Sequence, residues 1–427
     1  MFGIRTLWSW CALALLGGSL SGCFQDDCSA TRMFFRYDPV FMTSAEIRQD
    51  PEMEGPRTLE NPGKIYYIGD YLLINELQEG IHLYDNSDPE APVALSFLRI
   101  PGNVDMAVRG HVLYADNYID LLAIDISDPV NPRLLSRSED VFPGFGFDAA
   151  RGFLVQYEET QVVQEEDCGG FSGSIFWENE ALFMAADMVQ ASAAERASAV
   201  SNAAGIGGSM ARFTLADGFL YTVDQSSLHV FDLSAPAQPS KVNTVHFGWG
   251  IETIYPSENF LFAGGQSGMY ILDNSEPAAP YLRSVFQHAT ACDPVVVDGD
   301  IAYVTLRDGQ ECQGFSNQLD VVDVSNVDMP QLMRSYPMHN PMGLSVLDKT
   351  LYLCENDEGL KVFDITDPMA IDDNFLAQIK GLQAYDVIAL PAEQIALVVG
   401  RDGLFQYDIS DRENIRQLSV IAVQANE

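Results

Sequence analysis

One phrase recurs down the whole chain: a short apolar strand that ends in Asp, with Ser or Thr two residues further on. It reads IHLYDNS at 81–87, LLAIDIS at 121–127, LHVFDLS at 228–234, MYILDNS at 269–275, LDVVDVS at 319–325, LKVFDIT at 360–366 and LFQYDIS at 404–410. The Asp residues are Asp85, Asp125, Asp232, Asp273, Asp323, Asp364 and Asp408. Neighbouring copies lie 40, 41, 50, 41 and 44 residues apart, with one interval of 107. A period near 40 built from short strands predicts an all-β chain folded as a single β-propeller of four-stranded blades. A propeller also accommodates a chain too long for one ordinary core, because each blade packs mainly on its neighbours.

Each copy reads as an apolar strand, a Gly or Asp turn, a second apolar strand, a polar hairpin, the Asp-ending strand, a Pro-rich turn and a fourth strand. Inside the long interval, 147–155 repeats the opening of a copy and Thr160–Val163 offers a third strand, but the terminal Asp is missing. Counting this degenerate copy, units start near 64, 104, 147, 211, 251, 293, 342 and 385, which predicts eight blades; without it there are seven. Residues from about 168 to 210 leave the pattern, with an Ala-rich run at 181–204 and a Gly-rich run at 205–209. They are expected to form an insertion, a short helix with a flexible return.

The Asp-ending strands closely resemble the LVIVD repeat, a bacterial propeller motif of secreted and lipid-anchored proteins. The resemblance covers residues 64 to about 421, with seven good copies and one poor one. It implies a fold and a location; it brings no catalytic residues with it.

The first residues point to the same location. Arg5 followed by the apolar run 7–18 reads as a signal peptide over 1–22, too short in its core to span a bilayer. Leu20-Ser21-Gly22-Cys23 is similar to the bacterial lipobox, so Cys23 is the expected lipidation site, and acyl chains there would anchor the chain stably. No Asp follows Cys23 directly, and Asp26-Asp27 resembles the export signal of surface-displayed lipoproteins. The expected site is the outer membrane of a Gram-negative bacterium, with display on the cell surface as a further option. Residues 23–63 would then be a tether and N-terminal piece, and 64–427 the propeller.

Five cysteines remain for an oxidising compartment. Cys292 and Cys312 fall on one rim of one repeat and are expected to form a disulfide; Cys28 with Cys168 is a weaker pairing, and Cys354, in an apolar strand, reads as a buried free thiol. The chain carries 23 basic and 61 acidic residues, a formal net charge of −38. Such a surface repels nucleic acid and anionic lipid.

Two acidic series need separating. The seven strand-ending Asp residues precede Pro-rich turns, where a carboxylate accepts backbone N–H groups, so they are read as structural. A second series, Glu76, Asp116, Glu158, Asp224, Asp308, Asp357 and Asp402, with Gln266 in the remaining copy, lies in the hairpins between second and third strands. Exposed turns favour such residues, but a converging ring of carboxylates could also hold Ca²⁺. The insertion adds Phe171, Phe176, Trp177 and Phe183, an apolar set suited to a partner. No two of His82, His111, His229, His246, His288 and His339 have metal-ligand spacing, and no hydrolase, phosphate-loop or EF-hand motif occurs. The reading is a non-enzymatic cell-envelope lipoprotein that binds or scaffolds a protein or glycan partner. The alternative is a hydrolase working at the mouth of the central channel, with Ca²⁺ as its one candidate cofactor.

Overall fold

The structure, a computed structural model, describes residues 29–144, 146–167, 205–288, 294–307 and 317–424. The chain forms two compact units, the smaller comprising Met1–Pro39 with Tyr157–Leu182 and the larger the remainder. No helix among the described residues is long and apolar enough to cross a membrane.

Apart from one helical turn, the regular structure described in the larger unit is β. Seven sheets contain four consecutive antiparallel strands each, spanning 62–99, 106–138, 213–246, 251–287, 295–337, 344–379 and 384–422; they are numbered 1 to 7 in that order. Sheet 1 shows the plan, with strands Pro62–Ile68, Tyr71–Glu76, Gly80–Asp85 and Val93–Arg99. Inner strands are buried on both faces, as in Ile395–Gly400, where every residue is buried, so they read as continuous apolar runs. Only the fourth strands face solvent broadly, as in Tyr281–Gln287. Each fourth strand is bulged against the third, between Leu83 and Tyr84 in sheet 1 and at the corresponding place in the other six. A bulge twists the outer edge and blunts it against pairing with another chain.

The seams between sheets explain the prolines of the repeat. Ser96 of sheet 1 donates to the Pro129 carbonyl of sheet 2 at 2.6 Å. Tyr114 and Ser136 of sheet 2 reach the Pro236 and Ala237 carbonyls of sheet 3 at 3.0 and 2.8 Å. Tyr221 donates to Pro277 of sheet 4 at 2.9 Å, Ser284 to Val327 of sheet 5, and Tyr336 to Pro368 of sheet 6 at 2.9 Å. Arg412 of sheet 7 donates to Thr350 of sheet 6 at 3.0 Å, and Ser419 returns to the Pro89 carbonyl of sheet 1 at 2.6 Å. The first strands of sheets 1 to 7 neighbour one another in the same order. In sheets 1 to 6 the turn after the Asp therefore offers a carbonyl to the preceding sheet, in sheet 7 the turn donates through Arg412 instead, and the series closes on itself.

The expected eighth four-stranded unit does not take its place in this series. Gly152–Asp167 is instead the middle strand of a three-stranded sheet, between Phe147–Asp148 and Ser29–Met42, and sheet 2 bonds directly to sheet 3. This segment lacks the Asp-ending turn that in the other copies sets a carbonyl against the preceding sheet.

Two short elements precede the sheets within the larger unit. Glu52–Glu54 adds a strand outside the fourth strand of sheet 1. A one-turn helix, Ser44–Ile47, is closed by a Thr43–Glu46 capping box. The next residue, Arg48, pairs with the buried Asp120 of sheet 2 at 2.9 Å.

Candidate functional site

The seven repeated aspartates sit at the ends of the third strands. In every copy the Asp Oδ1 accepts the N–H two residues on, at 2.9 Å from Ser87 and Ser127, 2.6 Å from Ser234, 3.0 Å from Ser275, 2.9 Å from Ser325, 2.8 Å from Thr366 and 3.1 Å from Ser410. The partner's hydroxyl and N–H hold Asp85, Asp125, Asp323, Asp364 and Asp408 below the usual carboxylate range. The Ser275 N–H leads the same effect on Asp273. These carboxylates are occupied within their own turns.

The second acidic series does not converge. Glu76 is buried and bonded to the N–H groups of Glu60 and Asn61 and to His82 Nε2 at 2.9 Å. Burial alone would raise its pKa, but these partners outweigh it and hold Glu76 below the usual range. Asp224 is alike: burial opposes ionisation, while His229 Nε2 at 2.9 Å and the N–H groups of Ser226 and Ser227 prevail. Asp116 Oδ1 accepts from Asn103 Nδ2 at 2.8 Å, Val104 N at 2.7 Å and Asp105 N at 3.0 Å. Here burial wins, and the pKa is pushed up to about 6. Asp357 accepts from Gln383, and Asp402 is exposed. Glu158 lies in the smaller unit, exposed. Among the described residues, no group of three or more His, Cys, Asp or Glu is arranged to hold a metal ion. Asp308, the insertion aromatics, and Cys23, Cys28, Cys168, Cys292 and Cys312 lie outside the described residues; Cys354 is a buried free thiol.

The most elaborate polar arrangement is one the sequence did not announce. The run Gly205–Arg212 crosses the ring of first strands as a strap. Gly205 N donates to Val108 O of sheet 2 at 2.9 Å, and Ile206–Gly207 pairs with Tyr66 and Tyr67 of sheet 1. The buried Ser209 accepts Leu344 N of sheet 6 at 2.8 Å and donates to Asp386 of sheet 7 at 3.3 Å. Ala211 O takes Ile254 N of sheet 4 at 2.7 Å. Lys64, 4% exposed, donates to Met210 O at 3.1 Å and pairs with Asp105, 2% exposed, at 2.9 Å. Asp105 Oδ2 also accepts Arg212 N at 2.5 Å and Phe213 N at 3.2 Å. Burial lowers the Lys64 pKa, with Asp105 opposing it. An ammonium and carboxylate so deep are tolerable only because their remaining bonds are filled, and here the strap's backbone fills them.

Glycine makes the strap possible. A Cβ on Gly205 would stand 2.3 Å from the Tyr66 ring and 2.7 Å from Tyr67 O. The one sequence signal was the Gly-rich run 205–209, read as a flexible return; its small residues instead allow close approach to the sheet.

The repeat and the sheets define a propeller-like repeat protein. More particularly, the chain carries LVIVD repeats, which match residues 103–140, 207–246, 253–287 and 290–337. Sheets 1, 6 and 7 have the same Asp and Ser or Thr turn outside those matches. Among solved structures, a putative 6-phosphogluconolactonase from Bacteroides uniformis resembles it with a TM-score of 0.52 at 11% identity, covering 88% of this chain and 98% of that one. The computationally designed Ika8 protein gives 0.50 at 9% identity, covering 88% and 94%. Likeness at such identity concerns the fold alone. No curated protein matches the chain in sequence.

Proposed function

We propose that this chain is a cell-envelope lipoprotein anchored through Cys23, whose seven-bladed propeller is a non-enzymatic module that binds or scaffolds a protein or glycan partner. One observation carries the reading. The buried groups best suited to chemistry at the ring's centre, Lys64, Asp105 and Asp386, are bonded to the strap, with Lys64 and Asp105 also paired to each other. A hydrolase acting there would need those groups turned toward a substrate, where Gly205–Arg212 now lies. Binding on a face or rim requires no such opening. The acidic balance of the chain favours neutral or cationic partners over nucleic acid.

Fractionation tests the anchor: Cys23→Ala should move the protein from membrane to soluble fractions, and retention in the membrane would discard the lipoprotein. In-cell crosslinking followed by capture tests the module, and a chain that captures neither protein nor glycan would discard it. Calorimetric titration with Ca²⁺ examines the acidic hairpins; absence of heat up to about 1 mM removes the metal. Mass analysis without reductant addresses the Cys292–Cys312 and Cys28–Cys168 pairs.

A further inference from the structure

We propose that the loop between sheets 3 and 4 is a glycan-binding site built around Trp249, which deepens the reading above by naming the class of partner and the rim that meets it. Trp249 is 61% exposed, an unusual state for the largest aromatic side chain.

Its loop is held from both sides. Phe247 N donates to Ser226 O at 3.3 Å, Ile251 N to Gln225 O at 3.2 Å, and Gln266 N to Gly250 O at 2.9 Å. Beneath it, Phe247 packs edge-on against Tyr270, with ring centroids 5.4 Å apart. The two flanking glycines are required. A Cβ on Gly248 would stand 2.7 Å from Tyr270 Cζ, and Gly250 adopts φ +67 against the Gln266 side chain. The indole is therefore presented on a rigid base with little ordering left to lose on binding.

Its surroundings select the ligand. No other exposed large apolar side chain among the described residues lies in this loop or in the hairpins 224–227 and 265–268 that pin it. Protein hot spots cluster in well-packed, desolvated pockets, and among the described residues Trp249 has no second exposed large apolar side chain beside it in its loop or those hairpins. It fits a sugar: the ring's axial C–H face stacks on the aromatic plane, and the equatorial hydroxyls need planar polar partners at its edge. Gln266 supplies one, spending one N–H on Glu252 at 3.3 Å and keeping its carbonyl and second N–H. The Ser267 hydroxyl, next in the chain, is bonded to the Tyr270 hydroxyl at 3.0 Å and keeps one further hydrogen-bonding position. With a net charge of −38, neutral pyranose oligomers approach without repulsion and anionic ones do not.

The test is calorimetric titration of the purified full chain with chitohexaose, cellohexaose and maltohexaose, comparing the parent with Trp249→Ala, Trp249→Phe and Gln266→Leu. At least one neutral hexaose should bind. Trp249→Ala should weaken it about tenfold or more, and Trp249→Phe by about threefold or less. Because Trp249 is exposed, circular dichroism of the alanine variant should match the parent. No heat with any of the three sugars, or equal affinity in the alanine variant, overturns the site. If Trp249→Ala instead abolishes capture of a crosslinked protein while no sugar binds, the glycan assignment fails and the binding-module reading stands.

Discussion

Replacing Asp116 with Asn should stabilise the protein at neutral pH, although it removes a bonded carboxylate. All three bonds the structure gives this side chain, from Asn103, Val104 and Asp105, end on one oxygen, and an Asn oxygen can accept them all. What the substitution removes is a charge that burial disfavours. The pKa rises from an ordinary 3.8 to about 6, with the neighbouring Asp105 charge adding to burial. A pKa unit is worth about 1.4 kcal/mol, so full ionisation costs about 3 kcal/mol. Residual solvent exposure reduces this to about 1–2 kcal/mol. The sign follows from proton counting. Between pH of about 4 and 6 the folded state holds a proton that the unfolded state releases, so this group's contribution falls as pH rises through that window. Urea unfolding of the parent and Asp116→Asn at a series of pH values measures the difference. The variant should gain about 1–2 kcal/mol near pH 8 and nothing near pH 4. A gap independent of pH, or a variant weaker at pH 8, would refute the reasoning.

Lys64→Met should cost about 3–5 kcal/mol, because it strands the Asp105 carboxylate and the Met210 carbonyl in the interior; a loss under about 1 kcal/mol in the same unfolding assay would mean the pair is solvated. Gly205→Val should release the strap, seen as faster amide exchange across 205–212 and at Ile254 N, with sheet 5 keeping its protection. Ser136→Ala and Ser419→Ala break different seams, so each should cost about 1 kcal/mol and the double variant their sum. In the other pH direction, Asp85, Asp125, Asp273, Asp323, Asp364 and Asp408 have depressed pKa values, so their turns lose stability as pH falls below about 4. Asp125→Asn should lower stability in the neutral range and converge with the parent in strong acid, so that its own share of the acid limb disappears.

The repeat made the sheets legible because a blade is specified by a turn as much as by its strands. Asp85 and its six counterparts each bind the N–H two residues on, and in all copies but that of Asp408 the chain just beyond presents a carbonyl to the preceding sheet. The sequence displays the Asp, the Ser and the Pro, but not the donors, since Ser96, Tyr114 and Ser419 are unremarkable letters on other strands. The degenerate copy at 147–163 departs from that plan for the same reason. Its alternation of apolar and polar residues satisfies the strand pattern, yet it lacks the turn. The strap was hidden differently: Gly205-Ile206-Gly207-Gly208 has the composition of a flexible linker, and only the nearness of Tyr66, Lys64 and Leu344 turns missing side chains into space for a bonded backbone. It follows that restoring an Asp-x-Ser-x-Pro turn after Val163 would not create an eighth blade. The carbonyls of Pro236 and Ala237 already take the bonds from Tyr114 and Ser136, so a new unit would have to break a formed seam before making two, with ring geometry set by the other six opposing it.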